Sequence, residues 1–399
     1  MKNDMPMGQI KKGRLLFICA KKPFPVQDGG AIRTMQMYRM LSQYFDIDMV
    51  YSCDSKDGAS EIPEKKYGIT SCKGFYLSKK KSIFQAGMAL FGSKPLQCAY
   101  FYNNAMQKYI KDNICNYDYI FCNNIRTSIY ISKECKPKKY IDFVDAISMN
   151  YKGAASKRGF PINALYRLES RRLLKQELYL IDVFDKQFII SDIDADYIRK
   201  HARETSCDIA VVPNSVEIPE ETFSGTDENN IVFVGSMFYE PNIVAVTIFA
   251  KYIFPLIVKE KRDAKFYIVG NRPAEAVRKL ASENIIVTGF VEDPKLYLRK
   301  ANVVIAPMYS GAGVQNKILE AMSLGCCVVT TNIGAEGLNN IKNGEEIFIE
   351  SDYHKMASVI SILMADRALR RKIGLAAKKY VTNNLSYDMV FDRFSKEIM

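Results

Sequence analysis

The sequence is short of the residues that metal centres and histidine-dependent catalysis require. It contains two histidines, His201 and His354, and no tryptophan. None of its ten cysteines has the Cys-x-x-Cys or Cys-x-x-His spacing of a zinc site. Histidine-rich metal centres and most catalytic triads built on histidine are therefore excluded. The scattered thiols, including the adjacent pair Cys326 and Cys327, indicate a reducing cytosol rather than a disulfide framework.

Long apolar runs are also scarce, and we expect no segment that spans a bilayer. The apolar run Leu15–Ala20 follows basic residues, as in a signal peptide, but it is short and ends at Lys21 and Lys22. It therefore predicts a first β-strand, and the sequence predicts a cytoplasmic protein. With 399 residues, 48% hydrophobic and 25% charged, the chain has an ordinary globular composition and the length of two domains.

Acidic residues are too few to balance the basic ones, and the net charge of +12 requires an anionic partner or surface. No basic helix or aromatic-interleaved motif indicates nucleic acid, which we do not expect as a partner. A basic cluster precedes an apolar stretch of interfacial size, which is typical of a segment lying on an anionic membrane. The alternative is a core helix with a solvated basic start. The cluster is Lys79, Lys80 and Lys81, and the apolar residues are Phe84, Met88, Leu90 and Phe91.

Short apolar runs alternate with helical stretches along the whole chain, which predicts parallel sheets with crossover helices. The polar stretch from Pro219 to Asn230 interrupts this alternation and marks a linker. The sequence therefore predicts an α/β protein with two doubly wound, Rossmann-like domains that face a cleft. The predicted boundaries are 1–215 for the first domain, 216–230 for the linker, 231–380 for the second domain and 381–399 for a last helix that returns to the first domain.

A Gly-containing loop opens a predicted helix in the run Gly311–Gly325. Free N–H groups at a helix N-terminus attract phosphate, and we predict this terminus at Gly313–Val314. Lys317 and Glu320 lie on one face of the helix, near whatever its N-terminus binds. A phosphate and a sugar hydroxyl suit this pair of charges, and the alternative is a surface ion pair.

Segments on both sides of this run also match the pattern of a known protein family. The sequence resembles the retaining family 4 glycosyltransferases of the GT-B fold, and the matching pieces occur in the family's order. They are Asp28–Arg33, Val211–Val216, Phe233–Met237, Asn302–Pro307, Leu319–Val329 and Asn332–Gly337. The Gly-Val-Gln-Asn-Lys sequence at 313–317 is similar to a bacterial exopolysaccharide branch of that family.

The resemblance implies a nucleotide-diphosphate sugar as donor substrate, with no cofactor and no metal. Glu320 fits the family's ribose-binding glutamate, but Ala312 stands where the family's first glutamate falls. The usual Arg and Lys after Gly235 are replaced by Ser236 and Pro241, and Lys317 is predicted to supply the missing phosphate charge. The implied catalytic residues are Lys317, Glu320, Arg126 and Asp142. The implied donor-binding residues are Gly29, Gly30, Gly235, Ser236, Gly311, Ala312, Gly313, Val314, Gln315, Asn316, Lys317, Glu320, Gly334 and Glu336, with backbone N–H groups of the Gly334–Gly337 turn as ligand contacts.

Three alternate aspartates, Asp192, Asp194 and Asp196, follow Ser191. The pattern is similar to the metal-binding Asp-x-Asp of the other major glycosyltransferase fold, but acids also suit the first turn of a helix. We favour helix capping. An EF-hand loop is excluded because Tyr197 occupies the position that requires glycine.

The predicted function is therefore a retaining glycosyltransferase of surface polysaccharide synthesis, with a glycan or polyprenyl-linked acceptor. The protein is expected in the cytoplasm, at the inner face of the membrane. Two alternatives remain open, namely a non-catalytic sugar-binding subunit of the same fold and a nucleotide-sugar epimerase.

Overall fold

The computed structural model describes residues 13–26, 28–202, 208–221, 228–310 and 313–398. The chain divides into two compact units, Met1–Val212 and Pro213–Met399, which we call the first and second domains. Each is described by itself below. The predicted cleft and the predicted return of the last helix to the first domain stay predictions.

A seven-stranded parallel sheet forms the first domain, in the order β3-β2-β1-β4-β5-β6-β7. The strand order reverses between β1 and β4, which are direct neighbours. The central strands are continuous apolar runs because helices cover both faces of the sheet. The strands are β1 (Arg14–Cys19), β2 (Asp46–Cys53), β3 (Ser71–Tyr76), β4 (Tyr119–Asn123), β5 (Lys138–Asp142), β6 (Lys186–Ile189) and β7 (Ile209–Val211).

Five of the eight helices described in the first domain begin at a residue whose polar side chain caps a free N–H group. Asp28 accepts from the Ala31 N–H at the start of α1, and Ser191 accepts from the Asp194 N–H at the start of α8. The helices are α1 (Gly29–Leu41), α2 (Lys56–Ser60), α3 (Lys79–Ala89), α4 (Leu96–Tyr100), α5 (Asn104–Asn113), α6 (Ile147–Ser156), α7 (Ile162–Val183) and α8 (Asp192–His201).

A six-stranded parallel sheet forms the second domain, in the order β10-β9-β8-β11-β12-β13. Its strands are β8 (Asn230–Val234), β9 (Lys265–Val269), β10 (Ile285–Gly289), β11 (Val303–Ala306), β12 (Val328–Thr330) and β13 (Phe348–Ile349). Its helices are α9 (Glu240–Ile248), α10 (Phe254–Glu260), α11 (Glu275–Arg278), α12 (Lys295–Lys300), α13 (Asn316–Ser323), α14 (Asn332–Ala335), α15 (Tyr353–Ala365), α16 (Arg367–Leu385) and α17 (Tyr387–Ile398). In sheets of this order, ligands bind beyond the carboxyl ends of the strands where the order reverses.

One helical stretch contradicts our expectation that no segment has the length to cross a bilayer. Helices α9 and α10 are joined by a π-helical turn at Phe249–Ile253, so Glu240–Glu260 is long and apolar enough by length and composition. Pro255 has no N–H to donate, which accounts for the irregular hydrogen bonding at this point. Val246, Phe249 and Ile253 are buried in the core of the second domain. The apolar composition therefore serves packing within the domain.

The helix at the glycine run begins later than predicted. Gly313 has φ +75°, in the left-handed region, and α13 starts at Asn316 with Gln315 as its N-cap. A left-handed residue cannot belong to the first turn of a right-handed helix. The free N–H groups of this helix are therefore at Asn316 and Lys317, rather than at Gly313 and Val314.

Candidate functional site

Lys317 and the loop after β8 share one corner of the second domain. A Cβ atom at Gly235 would lie 2.7 Å from Asn242 Nδ2 and 3.3 Å from Lys317 Cε, so the position has room for glycine alone. Asn242 Nδ2 donates to the Ser236 carbonyl at 3.0 Å and so fixes the loop. Sequence reasoning predicted Gly235, Ser236 and Lys317 as donor-site residues, and the structure brings all three together. It missed Asn242, which carries no distinctive sequence signal.

The Lys317 ammonium is half-buried among neutral groups. It donates to Gln315 Oε1 at 3.1 Å, lies 3.8 Å from Met308 Sδ and lies 5.5 Å from the Phe233 ring centroid. In the described part of the chain it forms no ion pair. Burial lowers the pKa of this ammonium to about 8, although Glu320 opposes the shift. An anion placed in this corner would relieve the cost of the buried charge.

Glu320 follows one turn later on α13 and is also half-buried. Its carboxyl group has no hydrogen-bond partner among the described residues and does not form the surface ion pair with Lys317 that we considered as an alternative. Burial raises the pKa of Glu320, while the positive charges of Lys295 and Lys317 oppose the shift. The carboxyl group is therefore available to accept hydrogen bonds from ligand hydroxyls.

The remaining described residues of the glycine run pack or form hydrogen bonds within the second domain. Gly311 and Ala312 lie outside the described residues. Val314 is buried, and a Cβ atom at Gly337 would lie 2.6 Å from the Val314 backbone, so the two turns pack directly together. Asn316 Oδ1 accepts from Asn214 Nδ2 at 2.8 Å. The side chain of Val314 thus packs internally, whereas those of Gln315 and Asn316 fix the start of α13.

The turn after β12 corrects another expectation. The Gly334 N–H donates to Thr331 Oγ1 at 3.3 Å, the Ala335 N–H to the Thr331 carbonyl at 3.1 Å and the Glu336 N–H to the Ile333 carbonyl at 3.4 Å. These N–H groups already have acceptors because they cap and form the short helix α14, so we withdraw them as ligand contacts. Glu336 itself is exposed.

A pocket of about 470 Å³ lies at the carboxyl ends of β11 and β12. It shares Met308 with the surroundings of the Lys317 ammonium. The pocket is lined by Met308, Tyr309, Thr331, Ile333, Ser351, Asp352, Tyr353 and His354. Its volume is within the range of small-molecule sites.

In the first domain, the glycines after β1 remain accessible. Gly29 and Gly30 are exposed at the start of α1, where Asp28 accepts from the Ala31 N–H at 2.8 Å. They follow the loop after β1, which is a central strand of the sheet, and their donor-binding assignment stays a prediction.

Asp142 has a different position from the one its catalytic assignment requires. Both Asp142 and Arg33 are 0% exposed, and their side chains form a bidentate ion pair at 2.7 and 3.0 Å. Arg33 Nη1 also donates to the Val212 carbonyl at 2.7 Å. Since the carboxylate has no face open to a substrate, we assign Asp142 a structural role and withdraw it as a catalytic candidate. Sequence reasoning included Arg33 in a glycine-loop motif but did not predict its partner.

A second carboxyl group, which is half-buried, follows the carboxyl end of β5 and belongs to Asp145. It follows Val144, whose φ of +70° is strained for a β-branched residue, and it accepts from Asn150 Nδ2 at 2.8 Å. Burial and the neighbouring Asp194 raise the pKa of Asp145 to about 7. Asp145 was not among the predicted site residues, and only the fold separates the two carboxylates.

Arg126 follows β4 and lines a second pocket, of about 330 Å³. Its Nε donates to Gln97 Oε1 at 2.8 Å, and its Cζ lies 4.9 Å from the Phe101 ring centroid. Desolvation lowers the pKa of the guanidinium, and the charge of Asp145 opposes this. Arg126 therefore lines a pocket, and its catalytic assignment stays a prediction.

Two aspartates of the Asp-x-Asp run form hydrogen bonds or ion pairs with other residues of the first domain. The Asp194 carboxylate is buried and accepts from the Ser191 hydroxyl and from the Ala146 N–H at 2.9 Å. Asp196 pairs with Arg199 at 3.0 Å. These contacts support the capping interpretation. Within residues 13–26, 28–202, 208–221, 228–310 and 313–398, no group of three His, Cys, Asp or Glu residues is arranged to hold a metal ion.

The sequence is similar to one family model and to two proteins from bacteria. Residues 228–366, which contain the Lys317 corner, match the family model described as glycosyl transferases group 1. The chain is 24% identical to an uncharacterized 44.6 kDa protein in the cps region of Klebsiella pneumoniae, over 96% of this chain and 99% of that protein. It is 27% identical to the capsular polysaccharide biosynthesis glycosyltransferase CapM of Staphylococcus aureus, over 35% of this chain and 38% of CapM.

Solved structures establish the fold. Sucrose-phosphate synthase from Thermosynechococcus elongatus has a TM-score of 0.70 at 13% identity, covering 96% of this chain and 98% of that one. HepE of Anabaena in complex with UDP-glucose has a TM-score of 0.67 at 12% identity, covering 97% and 99%. The chain therefore has the GT-B fold, with two parallel α/β sheets, as predicted. The family model and the match to CapM support the assignment of the chain as a glycosyltransferase.

Proposed function

We propose that the chain is a retaining, metal-independent glycosyltransferase that moves a sugar from a nucleotide-diphosphate sugar to a glycan or lipid-linked acceptor in surface polysaccharide synthesis. The observation that carries this proposal is the half-buried Lys317 ammonium, which lies beside Gly235, forms no ion pair among the described residues and feels the charge of Glu320 one turn away. The relatives from the Klebsiella cps region and CapM support the assignment to a polysaccharide.

The leaving diphosphate gains negative charge as the glycosidic bond breaks. Lys317 would neutralise this charge from a fixed position, because its methylene chain packs at Gly235 and its ammonium is held by Gln315. Glu320 would accept hydrogen bonds from the ribose hydroxyls. The leaving phosphate would take the acceptor proton on the same face of the sugar, so the proposed mechanism uses no separate general base.

Donor use by the purified protein tests the proposal. A panel of nucleotide-diphosphate sugars is screened by thermal shift, and the active donor is then incubated with lipid-linked and glycan acceptors, with and without a chelator. We expect transfer with retained anomeric configuration and full activity in chelator. Binding without transfer or hydrolysis would favour the non-catalytic subunit, and a released sugar of altered configuration would favour the epimerase. Metal-reversible loss in chelator would contradict metal independence.

Glu320→Gln is expected to weaken donor binding by about 1–3 kcal/mol, because a hydrogen bond between a ribose hydroxyl and a charged group becomes a neutral one. Isothermal titration of the nucleoside diphosphate measures the change. Glu260→Gln, an exposed position in the same domain, is the matched control. Equal affinity in Glu320→Gln and the control would remove Glu320 from the ribose site.

We further propose that the protein acts at an anionic membrane surface, through helix α3. Ser82 is the buried residue of this helix, while Phe84 is 69% exposed and Phe91, just beyond it, is 92% exposed. Lys79, Lys80 and Lys81 form its first turn. These exposures contradict the alternative of a core helix. The combination of basic residues with exposed apolar side chains fits the boundary of an anionic leaflet.

Helix α7 extends this surface. Arg172 donates to the Ala89 carbonyl at 3.3 Å and to the Leu90 carbonyl at 3.0 Å, so it joins α7 to the end of α3. Leu165 and Leu168 are exposed and lie on the same face of α7 as Arg172. The helix also exposes three basic residues at intervals of four, which form no ion pair among the described residues: Arg167, Arg171 and Lys175.

Replacing Lys79, Lys80 and Lys81 by Glu is expected to abolish binding to anionic vesicles, because each basic residue near the surface contributes about 1 kcal/mol. Co-sedimentation with vesicles containing phosphatidylglycerol, at low and high salt, measures the effect. The same charge change at Lys108, Lys111 and Lys136, which are also exposed in the first domain, is the control. Equal binding to neutral and anionic vesicles, or equal loss in the control, would contradict the proposal.

A further inference from the structure

Two basic side chains meet at the point where the strand order of the first domain reverses. Lys21 follows β1 and Arg126 follows β4, and these strands are direct neighbours. Lys21 Nζ lies 5.4 Å and Arg126 Cζ lies 4.9 Å from the centroid of the same Phe101 ring. The two charges are therefore within about one Debye length of each other.

Neither charge is balanced by a carboxylate in contact with it. In the described ranges, Lys21 and Arg126 take part in no ion pair, and Arg126 lowers the pKa of Lys21 after the larger effect of burial. The nearby acids have other partners, since Asp28 caps α1 and Asp54 pairs with Lys79 at 3.1 Å. Asp145 has a pKa of about 7 and is partly protonated near neutral pH. The site therefore retains excess positive charge.

The pocket beside these charges has a volume and a lining suited to a sugar. Its volume is about 330 Å³, and its wall includes Gln97, Tyr100, Phe101, Arg126 and Tyr151. Gln97 fixes Arg126 through Nε alone, so the two Nη groups have no hydrogen-bond acceptor among the described residues. A planar guanidinium with free Nη donors binds carboxylate or phosphate oxygens, and aromatic faces pack against pyranose rings.

We propose that the acceptor carries an anionic group, a phosphate or a carboxylate, which binds Arg126 and Lys21 while its sugar ring packs in this pocket. The identification of the ligand as the acceptor rests on the proposed glycosyltransferase function. The same chemistry has two sources, the diphosphate of a lipid-linked acceptor and the carboxylate of a uronic acid in the glycan. Both place the anion beside the sugar that receives the new bond.

Binding of defined anions by the full chain tests the site. The probes are glucose 1-phosphate, galacturonic acid and a short isoprenyl diphosphate, with glucose as the neutral reference, each titrated by ligand-observed NMR. We expect at least one anionic probe to bind about tenfold or more tightly than glucose. Preference for the isoprenyl diphosphate identifies a lipid-linked source, and preference for galacturonic acid identifies an acidic glycan. Equal affinity for glucose and all anions would overturn the proposal.

Three variants in the first domain, compared with Lys317→Met, separate this site from the Lys317 corner. Arg126→Gln and Lys21→Gln are expected to lose the anion preference, whereas Lys73→Gln, which removes another lysine over a ring, at 4.4 Å from the Tyr109 centroid, is expected to keep it. The thermal shift given by a nucleoside diphosphate should be unchanged in all three. Loss of anion binding in Lys317→Met but not in Arg126→Gln or Lys21→Gln would overturn the proposal. If nucleotides fail to bind while the Arg126-dependent anion binding remains, the glycosyltransferase function fails and the anion site stands.

Discussion

Replacing Lys317 by methionine is expected to raise the free energy of unfolding while it removes activity. The ammonium is half-buried among Gln315, Met308 and Phe233, and burial lowers its pKa from 10.5 to about 8. Each unit of pKa corresponds to about 1.4 kcal/mol, so a neutral side chain of similar length should stabilise the free protein by about 1–3 kcal/mol at pH 7. Turnover should fall by about 10²–10³-fold, because the leaving diphosphate loses its fixed positive charge.

Urea unfolding and donor titration, both as a function of pH, measure these two effects. The folded-state pKa is depressed, so the unfolded chain binds more protons between pH 8 and 10.5 and the wild type gains stability as pH rises through that window. The advantage of Lys317→Met is therefore full below pH 8 and disappears toward pH 10.5. In the wild type, nucleoside diphosphate affinity should fall as pH rises above about 8, because the free protein loses this proton.

Lys259→Met, an exposed lysine of the same domain, is the control for Lys317→Met and should change neither quantity. A Lys317→Met protein that is less stable than the wild type but binds nucleotide normally would show that the lysine is a packing residue. That result would remove the observation on which the proposed function rests.

Asp142→Ala is expected to destabilise the first domain by about 3–5 kcal/mol, because it leaves the Arg33 guanidinium buried without its partner. The double substitution Arg33→Met with Asp142→Leu should recover most of this loss, since no charge then remains in the interior. Urea unfolding of Asp142→Ala, Arg33→Met, Asp142→Leu and the double substitution tests both expectations, and the last three with the wild type give the coupling between the two residues.

Asp145→Ala, which removes a second carboxyl group just after β5, is the matched control for Asp142→Ala. Asp145 is half-buried and its raised pKa shows that its charge is disfavoured in the fold, so this change should alter the stability little. If Asp142→Asn instead keeps full stability and loses activity, the structural assignment of Asp142 is wrong and its catalytic prediction returns.

The second domain was more predictable from sequence than the first because the α13 side of the Lys317 corner is built from one continuous segment. Lys317, Gln315 and the Gly313 turn are close in the chain, and the glycines that pack against them occur in recognisable turns. The true start of α13 was missed because periodicity places Val314 on the apolar face, whereas the left-handed Gly313 delays the helix. Local patterns do not contain that backbone constraint.

The side-chain contacts of the first domain could not be predicted from its sequence because they join residues that are far apart in the chain. Arg33 and Asp142 are more than a hundred positions apart, and so are Lys21 and Arg126. Nothing in the short motif around Asp142 and Asp145 indicates which carboxylate is buried. The ion pair with Arg33 of α1 buries Asp142, and that partner is distant in the sequence. The edge strand β3 was not predicted because its side chains are only half-buried and it contains glycine.

The depressed pKa of Lys317 also has a consequence for chemical reactivity. At neutral pH a much larger fraction of this amine is unprotonated than of an ordinary lysine, and the unprotonated amine is the nucleophile. The residue proposed to balance the donor's charge is thus also expected to be a selectively reactive amine, which an anionic aldehyde or active ester would modify first. A bound nucleotide would protect it, so the same group that serves the reaction offers a covalent handle for inhibitors.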